Sequence, residues 1–222
     1  LAVVCRDLGV WLHVDGAFGL WAAASPSRRE RLSGVELADS WATDAHKWLN
    51  VPYDSGIAIV ADPVSHRRSM SARASYLERA PGVEVDPLDW VPESSRRARG
   101  FALYAALRSL GRKGITEMVE RCCHHARHMA RLLEGEPGFE ILNDVVLNQV
   151  LVRVPSPDGT GSDELTQAVI ARVQREGTCW LGGTTWHGMA AMRISISNWS
   201  TTEDDIGRSA AAIIQAKRAE LG

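Results

Sequence analysis

Long apolar runs are missing from this chain. The longest, such as Gly56-Ile57-Ala58-Ile59-Val60-Ala61, fall far short of the roughly 20 residues a membrane-crossing helix needs, so no membrane partner is expected. An excess of basic charge is missing too. The 25 Lys and Arg residues stand against 27 Asp and Glu, the net charge is -2, and the basic residues fall in short scattered clusters, which leaves no footprint for a nucleic-acid partner. Cysteine is scarce: Cys5, Cys122, Cys123 and Cys179 are too few for a disulfide scaffold and two are adjacent, so a reducing, cytoplasmic setting is expected. Internal repeats and low-complexity tracts are absent. There is no initiator Met and no signal-peptide charge pattern. Residues 1–9 read instead as the last turns of an amphipathic helix closing on Gly9, the middle of a longer protein.

What is present is the balance of an ordinary globular protein, 45% hydrophobic and 23% charged over 222 residues, enough for one large domain or two small ones. Val10-Trp11-Leu12-His13-Val14 reads as a short buried strand ending at Asp15-Gly16, and the tight helix-to-strand step before it predicts α/β architecture. A short polar helix is expected over residues 26–32, and further strands over 38–43 and 57–61. Residues 73–95 are too long for a structural connector and read as a lid or binding loop. Helical spacing over 97–110 stops at Gly111, and a second helix carries Ile115, Met118, Val119 and Cys122. Beyond it we expect strands over 139–142, 149–154, 178–181 and 191–197, a helix over 163–176, and a closing helix capped by Thr201 or Thr202.

Two segments carry chemistry. Asp15 stands at a strand end, and 32 residues later comes Lys47, between His46 and the apolar pair Trp48-Leu49. Burial makes a lysine amine nucleophilic toward an aldehyde, and a neighbouring aspartate suits a protonated heterocyclic nitrogen. Taken singly, each has a plainer reading as a helix cap or a surface lysine.

Four ordered stretches settle the comparison. His13-Val14-Asp15-Gly16-Ala17-Phe18-Gly19, the run from Ala38 through Asp44-Ala45-His46-Lys47-Trp48-Leu49, Ser95-Arg96-Arg97-Ala98-Arg99, and Met192-Arg193-Ile194-Ser195-Ile196-Ser197-Asn198 together resemble the group II pyridoxal-dependent decarboxylases. That family includes aromatic-amino-acid, glutamate, histidine and diaminobutyrate decarboxylases. The resemblance spans essentially the whole chain and implies the type I fold of pyridoxal-phosphate-dependent transferases. Residues 1–110 would be the C-terminal part of a large domain with a mainly parallel sheet, and residues 111–222 a small α+β C-terminal domain.

The resemblance implies pyridoxal 5′-phosphate as cofactor, Lys47 as the catalytic Schiff-base lysine and Asp15 as the partner of the ring nitrogen. It places Ala17 under the ring face, His46 and Asp44 near the phosphate, and Arg193 on the substrate carboxylate. Many relatives carry Asn at the position of Asp44, and a carboxylate there repels a phosphate unless it is turned away or hydrogen-bonded. The implied activity is decarboxylation of an L-amino acid through a Lys47 aldimine, by a homodimer when full length. Aldehyde-forming oxidative deamination or transamination at the same site, and a non-catalytic truncated fragment, are the alternatives. They stand because Pro87 occupies the place of a proton-returning loop tyrosine of animal aromatic decarboxylases, which leaves Tyr76, His46 or Lys47 for that task. The family's stacking histidine, phosphate-cradling segment and N-terminal dimerisation region all precede the first motif, so the chain is expected to hold about half of such a protein.

The remaining features are weaker. Cys122-Cys123-His124-His125 with His128 offers only His124 and His128 on one helical face, so no metal site is expected. Ser55 has no His/Asp partner in sight for a hydrolase triad, and the eight tryptophans are expected in core and pocket walls. Cys179-Trp180-Leu181-Gly182-Gly183 is expected to end a strand near the substrate entrance.

Overall fold

A computed structural model describes residues 1–71, 86–93 and 95–222, so Tyr76 and most of the expected loop lie outside the described residues. The chain divides into two compact units. One comprises residues 1–23, 27–47 and 51–111, the other 24–26, 48–50 and 112–222.

The first unit opens with helix α1 (Ala2–Asp7). Gly9, at φ +63, turns the chain out of it, and the Val10 N–H closes back on the Cys5 carbonyl at 2.8 Å. Strand β1 (His13–Asp15) follows, and a crossover of three short 3-10 turns (Gly19–Ala24, Arg29–Leu32, Val35–Leu37) leads to β2 (Ser40–Asp44). The polar helix expected over 26–32 is therefore a single 3-10 turn. β1 and β2 pair in parallel, with Asp15 beside Ala42. β3 (Gly56–Val60) pairs with β2 antiparallel, with Gly56 opposite Asp44. An antiparallel strand is compatible with the mainly parallel sheet expected, and the short β2–β3 connection suits it. Helix α2 (Pro63–Met70) starts cleanly because Asp62 accepts hydrogen bonds from the Val64 and Ser65 N–H groups and Pro63 needs none. Buried Asp89, in the turn Pro87–Trp90, is held by Arg67 at 2.8 Å.

The long helix α3 (Arg99–Glu134) has a non-helical Gly111 (φ +59, ψ -177), the glycine at which the apolar periodicity stops. The second unit adds β4 (Glu140–Ile141), β5 (Gln149–Arg153), α4 (Ser162–Glu176), β6 (Gly182–Trp186), β7 (Met189–Ser195) and α5 (Glu203–Leu221). Its antiparallel sheet runs β4-β5-β7-β6. On β7 the side chains alternate: Met192 and Ile194 are buried while Arg193 and Ser195 are exposed. The core joins Met129 and Leu133 of α3, Val150 and Val152 of β5, and Val169 and Val173 of α4. Burying each such side chain stabilises the unit by about 1.5–3 kcal/mol. β6 begins four residues later than the strand expected at 178. The two-residue turn His187-Gly188, both at positive φ, sets the hairpin register and pairs Trp186 with Met189. α5 is closed by a reciprocal cap in which the Asp205 N–H donates to the Thr202 hydroxyl and the Thr202 N–H donates to the Asp205 carboxylate. These bonds hold the Asp205 carboxyl down at about 2.

The tryptophans do not all pack inward: Trp48 is fully buried, but Trp11, Trp180 and Trp199 are each more than half exposed. Hydrophobicity alone puts such large faces in the core or in pocket walls, whereas Trp180 lies just before a strand and Trp199 in a polar loop. Among the described residues no helix is long and apolar enough to cross a membrane.

Candidate active site

Parallel strands bring their carboxyl ends to one edge, and this is where the chemistry-bearing residues of the first unit gather. Asp15 is the last residue of β1, and Asp44 the last of β2. Asp15 sits beside Ala42, and Asp44 two residues further on points to the same face of the pleat. Asp15 is exposed, and its Oδ1 accepts the Ala17 N–H at 3.2 Å, a local turn that fixes the carboxylate's direction. Gly16 between them is required by space. It is buried, its N–H reaches the Ala42 carbonyl at 2.8 Å, and a Cβ there would lie 2.2 Å from Leu20 Cγ.

Lys47 follows β2 by three residues. Its Nζ lies 2.7 Å from Asp44 Oδ2 and 5.1 Å from the centre of the Phe18 ring. Trp48 and Leu49 beside it are buried, as their apolar character requires, but the Lys47 side chain keeps 33% of its exposure. The expected burial is thus partial, because Asp44 holds the ammonium at the strand end. Asp44, expected near a phosphate, has its carboxylate on Lys47.

His46 is fixed by the turn behind the site. His46 Nδ1 lies 3.0 Å from the Ser55 N–H and 3.1 Å from the Ser55 carbonyl, so the ring is anchored on the Ser55 backbone. The Ser55 carbonyl in turn accepts the Ala45 N–H at 2.8 Å, and Tyr53 lies on the His46 ring with centres 4.1 Å apart. The contacts of Ser55 with His46 and Ala45 are thus made by its backbone. Phe18 and Tyr53 were passed over in the sequence. The signal for Phe18 was its place three residues after Asp15 in the first motif; Tyr53 carried none.

In the second unit, Arg193 projects from the central strand β7 on the face opposite the core, between Leu151 of β5 and Gly182 of β6. It is exposed and makes no ion pair among the described residues, which leaves its planar fork of donors available. His124 and His128 share a helix face with rings parallel and 6.4 Å apart, and His124 Nε2 meets Glu203 at 3.1 Å. His125 is buried and points its Nε2 at the Thr201 carbonyl, 3.1 Å away. Burial pushes its pKa down, against that hydrogen bond. Among the described residues no group of three metal-ligating side chains converges.

With this geometry in place, comparison with known proteins is decisive. Residues 1–154 match the family model described as the pyridoxal-dependent decarboxylase conserved domain. The chain belongs to this family. Histidine decarboxylase of Rattus norvegicus is 31% identical over 209 residues, 94% of this chain and 31% of that protein. The 4-hydroxyphenylacetaldehyde synthase of Rhodiola rosea is 30% identical over 206 residues, covering 91% of this chain and 42% of that protein. Among solved structures, an Oryza sativa TDC with PLP and tryptamine superposes with a TM-score of 0.92 at 23% identity, covering all of this chain and 47% of that one. The fold is thus the α/β fold of these decarboxylases, and the chain spans less than half the length of the relatives it matches.

The residues present fit the family's cofactor by their chemistry. Lys47 offers an amine for an aldehyde, Asp15 an exposed carboxylate for a ring nitrogen, and Ala17 a small side chain next to it.

Proposed function

We propose that this chain carries the cofactor-bearing part of a pyridoxal-phosphate-dependent decarboxylase acting on an L-amino acid. The observation that carries the reading is the meeting of Asp15 and the Asp44–Lys47 pair at the carboxyl ends of two parallel strands. Pyridoxal 5′-phosphate, when bound, supplies an electron sink for the electrons left by a breaking C–C bond.

The protein's own residues divide the remaining work. The Lys47 amine is the attachment point, reached from the solvent side because the side chain is only partly buried. Asp15, its direction fixed by the Ala17 N–H, keeps a proton on the ring nitrogen by presenting a carboxylate to it. Ala17 takes little space, so a planar ring can lie against that stretch of backbone. His46, its Nδ1 anchored on the Ser55 backbone, keeps its Nε2 edge for an anionic phosphate. Arg193 binds the substrate carboxylate through paired N–H donors. The substrate class and a homodimeric, cytoplasmic whole protein belong to the same proposal.

The test is release of carbon dioxide from L-histidine, L-tryptophan and L-tyrosine, the amino acids suggested by the relatives' names, with added cofactor. We expect carbon dioxide with the corresponding amine, abolished in Lys47→Ala. Aldehyde with peroxide would contradict decarboxylation, and equal turnover in Lys47→Ala would contradict the site.

A further inference from the structure

Asp44 has no role in the reading above beyond its contact with Lys47. Its carboxylate could turn toward solvent or toward the strand edge, yet Oδ2 sits 2.7 Å from Lys47 Nζ, with both side chains only a quarter to a third exposed. Gly56 faces Asp44 across the β2–β3 ladder. The Phe18 ring, 5.1 Å from Nζ, gives the ammonium a second favourable neighbour.

We propose that Asp44 is the counter-ion of the cofactor-bearing lysine, a positioning residue that holds the Lys47 ammonium at the strand ends and restrains its amine until an aldehyde arrives. The inference rests on the assignment of Lys47 as the attachment point. An amine held 2.7 Å from a carboxylate must leave that contact before its nitrogen can meet a carbonyl carbon. Asp44 therefore governs how readily Lys47 reacts. A carboxylate committed to an ammonium is also turned away from an anionic phosphate, which removes the conflict noted from the sequence.

The chain has three lysines, Lys47, Lys113 and Lys217, so the amine can be read directly without cofactor. Lys113 is exposed and serves as an internal reference, while Lys217 is buried with its ammonium on the Pro137 carbonyl. The experiment is trace acetylation of the cofactor-free protein with acetic anhydride at pH 7.5, quantified by peptide mass spectrometry as the Lys47 to Lys113 ratio. In Asp44→Asn, which keeps the shape and removes the charge, the ratio should rise roughly twofold to fivefold, the range of a partly exposed ion pair. Asp44→Glu should restore a ratio near that of the natural protein, a rescue that general loosening of the loop would not give. A ratio unchanged or lowered in Asp44→Asn, or raised equally in Asp44→Glu, overturns the proposal. Because no cofactor is present, the pair is tested separately from the functional reading. Failure of pyridoxal 5′-phosphate to attach at Lys47 would overturn that reading while a raised ratio still upheld the pair.

Discussion

At the scale of single residues, two side chains show how environment decides chemistry. His125 is buried with Nε2 bonded to Thr201, and burial lowers its pKa below the ordinary histidine value. The sign follows from linkage: as pH falls through the unfolded value near 6.5, the unfolded chain takes up a proton that folded His125 refuses, so stability drops. Denaturant midpoints measured between pH 7.5 and 5 should fall on acidification, and the fall should be shallower in His125→Gln. Arg193 is the converse case, an exposed guanidinium on the outer face of a sheet. Arg193→Ala should raise KM for the amino acid by roughly tenfold, the loss of a charge-assisted hydrogen bond, while cofactor attachment at Lys47 is unchanged. The position of Asp15, His46 and Lys47 at or just past strand ends was legible in the sequence, because a short strand-like run precedes each. The Asp44–Lys47 pairing was not, since an i,i+3 spacing past a strand end leaves side-chain direction open. Tyr53 was hidden for the same reason: its contact with His46 depends on how the loop folds.

At the scale of elements, the alternation on β7 and the helical periodicity of α3 and α4 were readable because burial enforces them. The shift of β6 was not. Its register is set by the turn at His187-Gly188, and a histidine at positive φ gives little warning in sequence. The direction of β3 was equally obscure to pattern, although the length of its connection decides it. The start of α5 was readable, because Thr202 followed by Asp205 is a capping pair. Thr202→Ala should cost about 1 kcal/mol, visible as a lowered Tm. In the core, Leu133→Ala should cost about 2–5 kcal/mol, with the larger figure if the cavity does not collapse.

At the scale of the whole molecule, the two units divide the chemistry. The strand ends with Asp15, Asp44 and Lys47 belong to the first, and Arg193 to the second. The chain matches its family over residues 1–154 and spans less than half of its relatives' length, and the function proposed for it stands or falls on Lys47. The most direct measurement is incubation with pyridoxal 5′-phosphate, reduction with borohydride, and peptide mapping of the three lysines. The account predicts a reduced pyridoxyl adduct on the peptide containing Lys47, with Lys113 and Lys217 unmodified and no adduct in Lys47→Ala. An adduct shared equally with Lys113, or undiminished in Lys47→Ala, would contradict it.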